Sequence, residues 1–193
     1  MSLLSRPAAR PTRAVRPVLS ALLALLAGSA APSARAADPG GDKPIPQGDY
    51  QFRFCLAFAQ IEGNFVGATL REMEATPYPV DEYFTTSTCQ PDGYSDVVKS
   101  PIIHTVADDP SKRVGFLDSI WLYYSKKRKE PGKFAAVVNA KNTEGETLLD
   151  YIESMRSRGK YTVDGTKASL EKIVSSACAH GAVYSVYKDK RCP

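Results

Sequence analysis

The sequence predicts an all-α fold, a short solenoid of about three helix-turn-helix pairs joined by long loops. Three observations carry that expectation. From Tyr50 onward, apolar residues recur at helical spacing. Start and stop signals such as Ser-Pro, Glu-Thr and single glycines bracket these stretches. The stretches also come in pairs at steps of about 45 residues, a period that marks stacked repeats, in which each unit buries its apolar face against the next.

Residues 1–36 read as a removable secretory signal. Arg6, Arg10, Arg13 and Arg16, with no acid among them, form a positive n-region. Val18 to Ala27 is an apolar h-region, shorter than the roughly 20 residues a stable span needs. Ala34-Arg35-Ala36 places small residues where a signal peptidase reads, so cleavage is expected before Ala37. The whole chain has 25 basic and 21 acidic residues; removing the arginines at 6, 10, 13, 16 and 35 leaves 20 against 21, a net charge of −1. The basic balance therefore belongs to the signal and does not point to nucleic acid or an anionic membrane. No stable membrane insertion is expected after cleavage. Residues 37–49, rich in Pro, Gly and Asp, read as a flexible leader.

The repeat domain is expected over 50–187, with a C-terminal tail over 188–193. Phe54, Leu56, Phe58 and Ile61, then Phe65, Leu70 and Met73, suggest a helix hairpin turning at Gly63-Asn64. Residues 75–95 hold Pro77, Pro79, Pro91 and Gly93 and read as a long loop. Ser100-Pro101 predicts an N-cap followed by Pro at the first helical position, and Asp108-Asp109-Pro110 ends that helix. Phe116, Leu117, Ile120, Trp121 and Tyr124 form the apolar face of its partner, with Tyr123 pointing elsewhere. That face gives way to Lys126-Lys127-Arg128-Lys129, read as a solvated helix end, and to Pro131-Gly132. In the third pair, Asn139 to Gly145 is a turn and Glu146-Thr147 opens a helix followed by Gly159. Leu170, Ile173, Val174 and Cys178 stripe the last helix, closed by His180-Gly181.

The stretch from Val138 to Ile152, VNAKNTEGETLLDYI, followed by SLEKIVSSACAHGAVYS from Ser169 to Ser185, resembles an ankyrin repeat. The family's Thr-Pro-Leu-His is here Thr147-Leu148-Leu149-Asp150; Ser100-Pro101-Ile102-Ile103-His104 is similar to it with one extra residue. Cys55 to Leu70 resembles a degenerate first repeat. The likeness spans about residues 50–185 at a period longer than the family's roughly 33 residues, which assigns 107–115, 127–137 and 159–167 to loops. It implies a concave surface that engages another protein.

Four cysteines in an oxidising compartment suggest two disulfides. They allow three pairings, of which the local one, Cys55 with Cys89 and Cys178 with Cys192, is preferred. No CxxC or HxxxH spacing is present, so neither a metal nor a cofactor is expected. No catalytic set is expected either: His104 and His180 read as structural, and Ser100 lacks a GxSxG setting. Tyr83, Phe84, Tyr123 and His104 are the candidate partner contacts. The expected function is non-catalytic protein binding in the periplasm or outside the cell, by an inhibitor or immunity-type protein. The alternatives are an envelope hydrolase using Ser100 and His104, or a secreted effector. Mass spectrometry of the exported protein is expected to show a chain starting at Ala37 whose thiols resist alkylation until reduced. Four alkylated cysteines without reductant would exclude the disulfide reading.

Overall fold

The computed structural model describes residues 46–60, 65–90 and 98–193. The expected signal, most of the leader, the Gly63-Asn64 turn and Pro91, Gly93 and Tyr94 of the expected loop lie outside the described residues. The chain divides into two units, Met1–Asp42 and Lys43–Pro193, and every described residue belongs to the second. Among the described residues the fold is all-α, with no strand beyond one isolated antiparallel bridge between Cys89 and Ser100.

Helix α1 spans Gln47–Gln60. It starts inside the expected leader, where the Asp49 amide donates to Pro46 O at 3.0 Å and Gln47 Nε2 donates to Glu82 Oε2 at 2.7 Å. Helix α2, Val66–Glu74, turns Val66, Thr69, Leu70 and Met73 inward. The expected loop over 75–95 instead contains α3, Val80–Thr85, entered through Pro79 in extended conformation. Six residues are too few to show a period, which hid this helix in the sequence. It folds back on α1, so that Tyr83 meets Phe54 edge-on at 4.9 Å between ring centroids and Phe84 meets Phe58 at 5.6 Å.

The second pair opens with a 3₁₀ helix, Ile102–Ala107, all of it buried. Its N-cap is Pro101, not Ser100. Ser100 is drawn away by its ladder to Cys89, with amide-to-carbonyl distances of 2.8 and 2.9 Å, so its backbone is strand-like where a cap was expected. The short α4, Pro110–Arg113, leads into α5, Phe116–Leu122, which continues as one π turn, Tyr123–Lys127. The expected loops over 107–115 and 127–137 likewise hold helices, α4 in the first and α6, Pro131–Val138, in the second, with Pro131 at the first helical position where its missing N–H costs nothing.

The third pair follows the expectation closely. Thr147 caps α7, Leu148–Ser157, in a reciprocal capping box with Asp150. Helix α8 runs from Asp164 to Ala179. Both helices close on a glycine in the left-handed region, Gly159 at φ 76° and Gly181 at φ 87°. Each has the same paired bonds: Gly159 N–H to Arg156 O and Lys160 N–H to Met155 O, then Gly181 N–H to Cys178 O and Ala182 N–H to Ala177 O. That is the Schellman arrangement, which satisfies carbonyls a helix end would otherwise strand.

The elements pack as α1 on α2 and the 3₁₀ helix, α2 on α5, α3 on α6, α4 and α5 on α8, and α7 on the 3₁₀ helix. One continuous core runs through them. Both expected disulfides are present, Cys55–Cys89 at 2.07 Å and Cys178–Cys192 at 2.09 Å. In the chain-entropy picture a bridge across 34 residues contributes about 4 kcal/mol and one across 14 about 3 kcal/mol. Phe84→Ala is expected to cost about 3–5 kcal/mol by emptying this core, read as a lower urea midpoint with unchanged slope. A loss under about 0.5 kcal/mol would place the ring at the surface instead.

Candidate protein-interaction surfaces

All four expected partner contacts lie in the interior. Tyr83, Phe84 and His104 are fully buried and Tyr123 nearly so. Tyr83 and Phe84 are consumed by the packing of α3 on α1, where the buried Gln51 also donates to Tyr83 O at 2.7 Å. Tyr123, expected to point away from the core, is turned inward by the π turn, and of the apolar face read in the sequence, Trp121 is the partly exposed member. Trp121 stacks on His180 with centroids 4.5 Å apart. Ser100 and His104 do not form a dyad: Ser100 Oγ and His104 Nδ1 are buried with no hydrogen-bond partner among the described residues, hence not bonded to each other.

His104 lies within 3.1 Å of Ala140 O through Nε2, which fixes the tautomer with its proton there, and stacks on Tyr151 at 5.2 Å. Complete burial depresses its pKa from 6.5 to about 4, against the opposing pull of the Ala140 carbonyl and the Asp150 charge. Asp150 is itself inaccessible. Its Oδ2 accepts from the Thr147 and Ser185 amides at 3.0 and 2.8 Å, and its Oδ1 from the Val186 and Tyr187 amides at 3.0 and 3.1 Å. The Thr147 hydroxyl lies 2.8 Å from both Asp150 Oδ2 and Val183 O. Burial raises the pKa of this carboxyl, but the converging amides outweigh it and hold it below its ordinary value. Asp150 thus caps its own helix and also clasps the segment after α8.

The basic run divides in two. Lys127 pairs with Glu74, which also accepts from the Tyr123 hydroxyl at 3.1 Å. The Lys127 bond, ahead of the opposing effect of burial, lowers the Glu74 pKa. Burial pushes the Tyr123 phenol up to about 12. Arg128 reaches Asp81 at 3.2 Å and Glu130 at 2.9 Å, and covers the Tyr124 ring at 5.7 Å. Tyr124 donates to the same Asp81 at 2.8 Å, joining the π turn to α3. Lys126 and Lys129 have no ion-pair partner among the described residues, nor has Arg71 on the facing α2. Between α2 and the end of α5 lies an open groove of about 630 Å³, lined by Gly67, Leu70, Arg71, Leu122, Lys126 and the edge of Tyr123. Leu122 is 52% exposed there.

A second cleft, about 290 Å³, runs beside the Cys55–Cys89 bridge and is lined by Phe52, Leu56, Ala59 and Arg113 among others. Phe52 is 66% exposed and Leu56 also lies outside, although the sequence pattern had grouped Leu56 with the core. The residues were separable: Phe52, Leu56 and Ala59 recur at helical spacing, half a turn around α1 from Phe54 and Phe58. Arg113 is buried, its guanidinium donating to the carbonyls of Thr105 and Ala59.

Among the described residues no group of three or more His, Cys, Asp or Glu is placed to hold a metal, and no helix is long and apolar enough to cross a membrane. No protein-family model, curated protein or solved structure matches the chain.

Stability is expected to fall by about 2 kcal/mol between pH 7 and pH 5, because the unfolded chain takes up a proton at His104 that the folded chain refuses until about pH 4. Urea midpoints at the two pH values measure this, and His104→Gln should remove most of the difference; an unchanged difference would place its origin elsewhere. Asp150→Asn is expected to cost about 3 kcal/mol and to raise amide exchange at 185–187, since a carboxamide cannot accept all four amides. Exchange unaltered at those amides would show that the clasp does not hold the segment.

Proposed function

We propose that the chain is an exported, non-catalytic protein-binding module of the periplasm or cell exterior, of the inhibitor or immunity type, built on three degenerate ankyrin-like helix pairs. The observation that carries this reading is the placement of large apolar side chains outside a closed core: Phe52 and Leu56 beside one cleft, Leu122 in the other groove. Exposed apolar groups rimmed by charge are what protein partners cover.

Several features support the rest of it. The two disulfides suit an oxidising compartment, in keeping with the signal-like residues 1–36. The strongest packing joins successive pairs, α1 with the 3₁₀ helix and α4 with α8, as stacked repeats do. Helices α3 and α6 follow the first and second pairs, which accounts for a step longer than the family's. The pair a hydrolase would use is interior and not joined: Ser100 and His104 are both buried, and His104 bonds Ala140 O and not Ser100.

The test uses the chain from Ala37, immobilised and exposed to envelope extract under several growth conditions, with captured proteins identified by mass spectrometry. One partner is expected to be held at micromolar affinity or tighter, and Ser100→Ala should bind it equally. Hydrolytic activity of the wild type that vanishes in a folded Ser100→Ala variant would overturn the non-catalytic reading.

A further inference from the structure

The preceding reading leaves open which surface binds and what chemistry it selects, and the groove between α2 and the end of α5 bears on both. Its cations are not equivalent. Lys127 and Arg128 are neutralised within the molecule by Glu74, Asp81 and Glu130, and Lys133 shares Asp81 and Glu130 at 3.1 and 3.2 Å. The nearby acids are therefore already engaged, and Arg71 and Lys126 both line the groove with no ion-pair partner among the described residues. Arg71 folds back along α2, its guanidinium 3.9 Å from where Gly67 would carry a Cβ, so the groove wall has no side chain there to fill it.

The backbone is arranged to produce this separation. At Tyr123 the hydrogen bonding widens to the π pattern, with the Arg128 amide donating to Tyr123 O at 3.0 Å, and the end of the turn is closed by a six-residue step from the Glu130 amide to Tyr124 O at 2.8 Å. The wider turn buries both tyrosines while leaving Lys126 outside. Lys129 follows at φ 58°, the one non-glycine residue in the left-handed region among those described. Single π turns are frequent at functional sites, and the positive φ of Lys129 lies where the Glu130 amide closes the end of the turn.

We propose that this groove is the docking surface for an acidic segment of a partner protein, one that sets carboxylates against Arg71 and Lys126 and an apolar side chain on Leu122. The inference rests on the protein-binding reading above. Charge complementarity selects the occupant: two unpaired cations flanking one apolar side chain match an acidic peptide with a hydrophobic anchor. A nucleic acid would call for exposed aromatic faces, and the tyrosines here are covered by Lys127 and Arg128. A bilayer would call for a broader basic field than two side chains.

The experiment titrates the chain from Ala37 with a fluorescent peptide, Glu-Asp-Glu-Leu-Phe-Glu-Asp-Glu, and follows backbone amide shifts. The expected result is binding that maps to residues 67–71 and 119–127, weakens with salt, and falls roughly tenfold in Arg71→Glu/Lys126→Glu. A peptide with Ser in place of Leu and Phe should lose affinity as well. Shifts mapping elsewhere, or equal binding by the charge-reversed variant, overturn the proposal. So does binding of phosphatidylglycerol vesicles or a single-stranded oligonucleotide in preference to the peptide with the same dependence on Arg71 and Lys126. Both substitutions are at exposed positions, and circular dichroism verifies that the variant folds. Capture from envelope extract separates the two readings: a partner held equally by wild type and variant overturns this docking site and leaves protein binding standing, whereas no partner for either overturns protein binding itself.

Discussion

The carboxylate of Asp150 is the point on which the C-terminal half of the molecule depends. It completes the N-terminal turn of α7 through Thr147 and, from the same two oxygens, gathers the amides of Ser185, Val186 and Tyr187. One buried charge is thereby shared between a helix start and a segment some 35 residues away in sequence. Burying an ion is costly, and four amide donors offset that cost only while all of them are in place. The geometry of residues 183–187 is accordingly tied to α7, and through α7 to the 3₁₀ helix beside it.

The remaining polar residues divide labour in a similar way. His104, next to that charge, stays neutral and behaves as a flat packing surface for Tyr151. Glu74 and Asp81 hold the π turn against α2 and α3 through Lys127, Arg128 and the two tyrosine hydroxyls. Exposed ion pairs contribute little each, but here they are joined to buried phenols, so they fix which side chains of one short run turn inward and which outward. A run that looks uniform in sequence becomes, in three dimensions, two fasteners and two unpaired charges.

How much of this was legible in the sequence follows from how local each determinant is. Gly159 and Gly181 announced their helix ends because a Schellman closure is a property of six consecutive residues. Thr147 was readable as a helix start for the same reason. The local cysteine pairing was one of three, preferred on proximity in sequence and found as such. Tyr83 and Phe84 were misplaced because α3 is too short to be periodic and is stabilised by contacts with Phe54 and Phe58, which no local pattern records. Ser100 was read as a cap because Ser-Pro usually is one; a backbone ladder to Cys89, set by the neighbouring disulfide, took precedence. At the candidate surfaces, Leu122 and Arg71 carried no signal alone, because their exposure results from the π turn and from the packing of α2 on α5.

The Cys178–Cys192 bridge has a consequence for the Asp150 clasp. The three amides that reach the carboxylate lie between the two cysteines, inside a covalent ring anchored on the last turn of α8. When thermal motion breaks those hydrogen bonds, the donors stay within a closed 14-residue loop, at an effective concentration above that of a loose strand. Opening is therefore confined to the loop, and the core beneath it keeps its packing. The ring acts less as a staple between two surfaces than as a leash, which sets how far the segment can stray rather than where it rests.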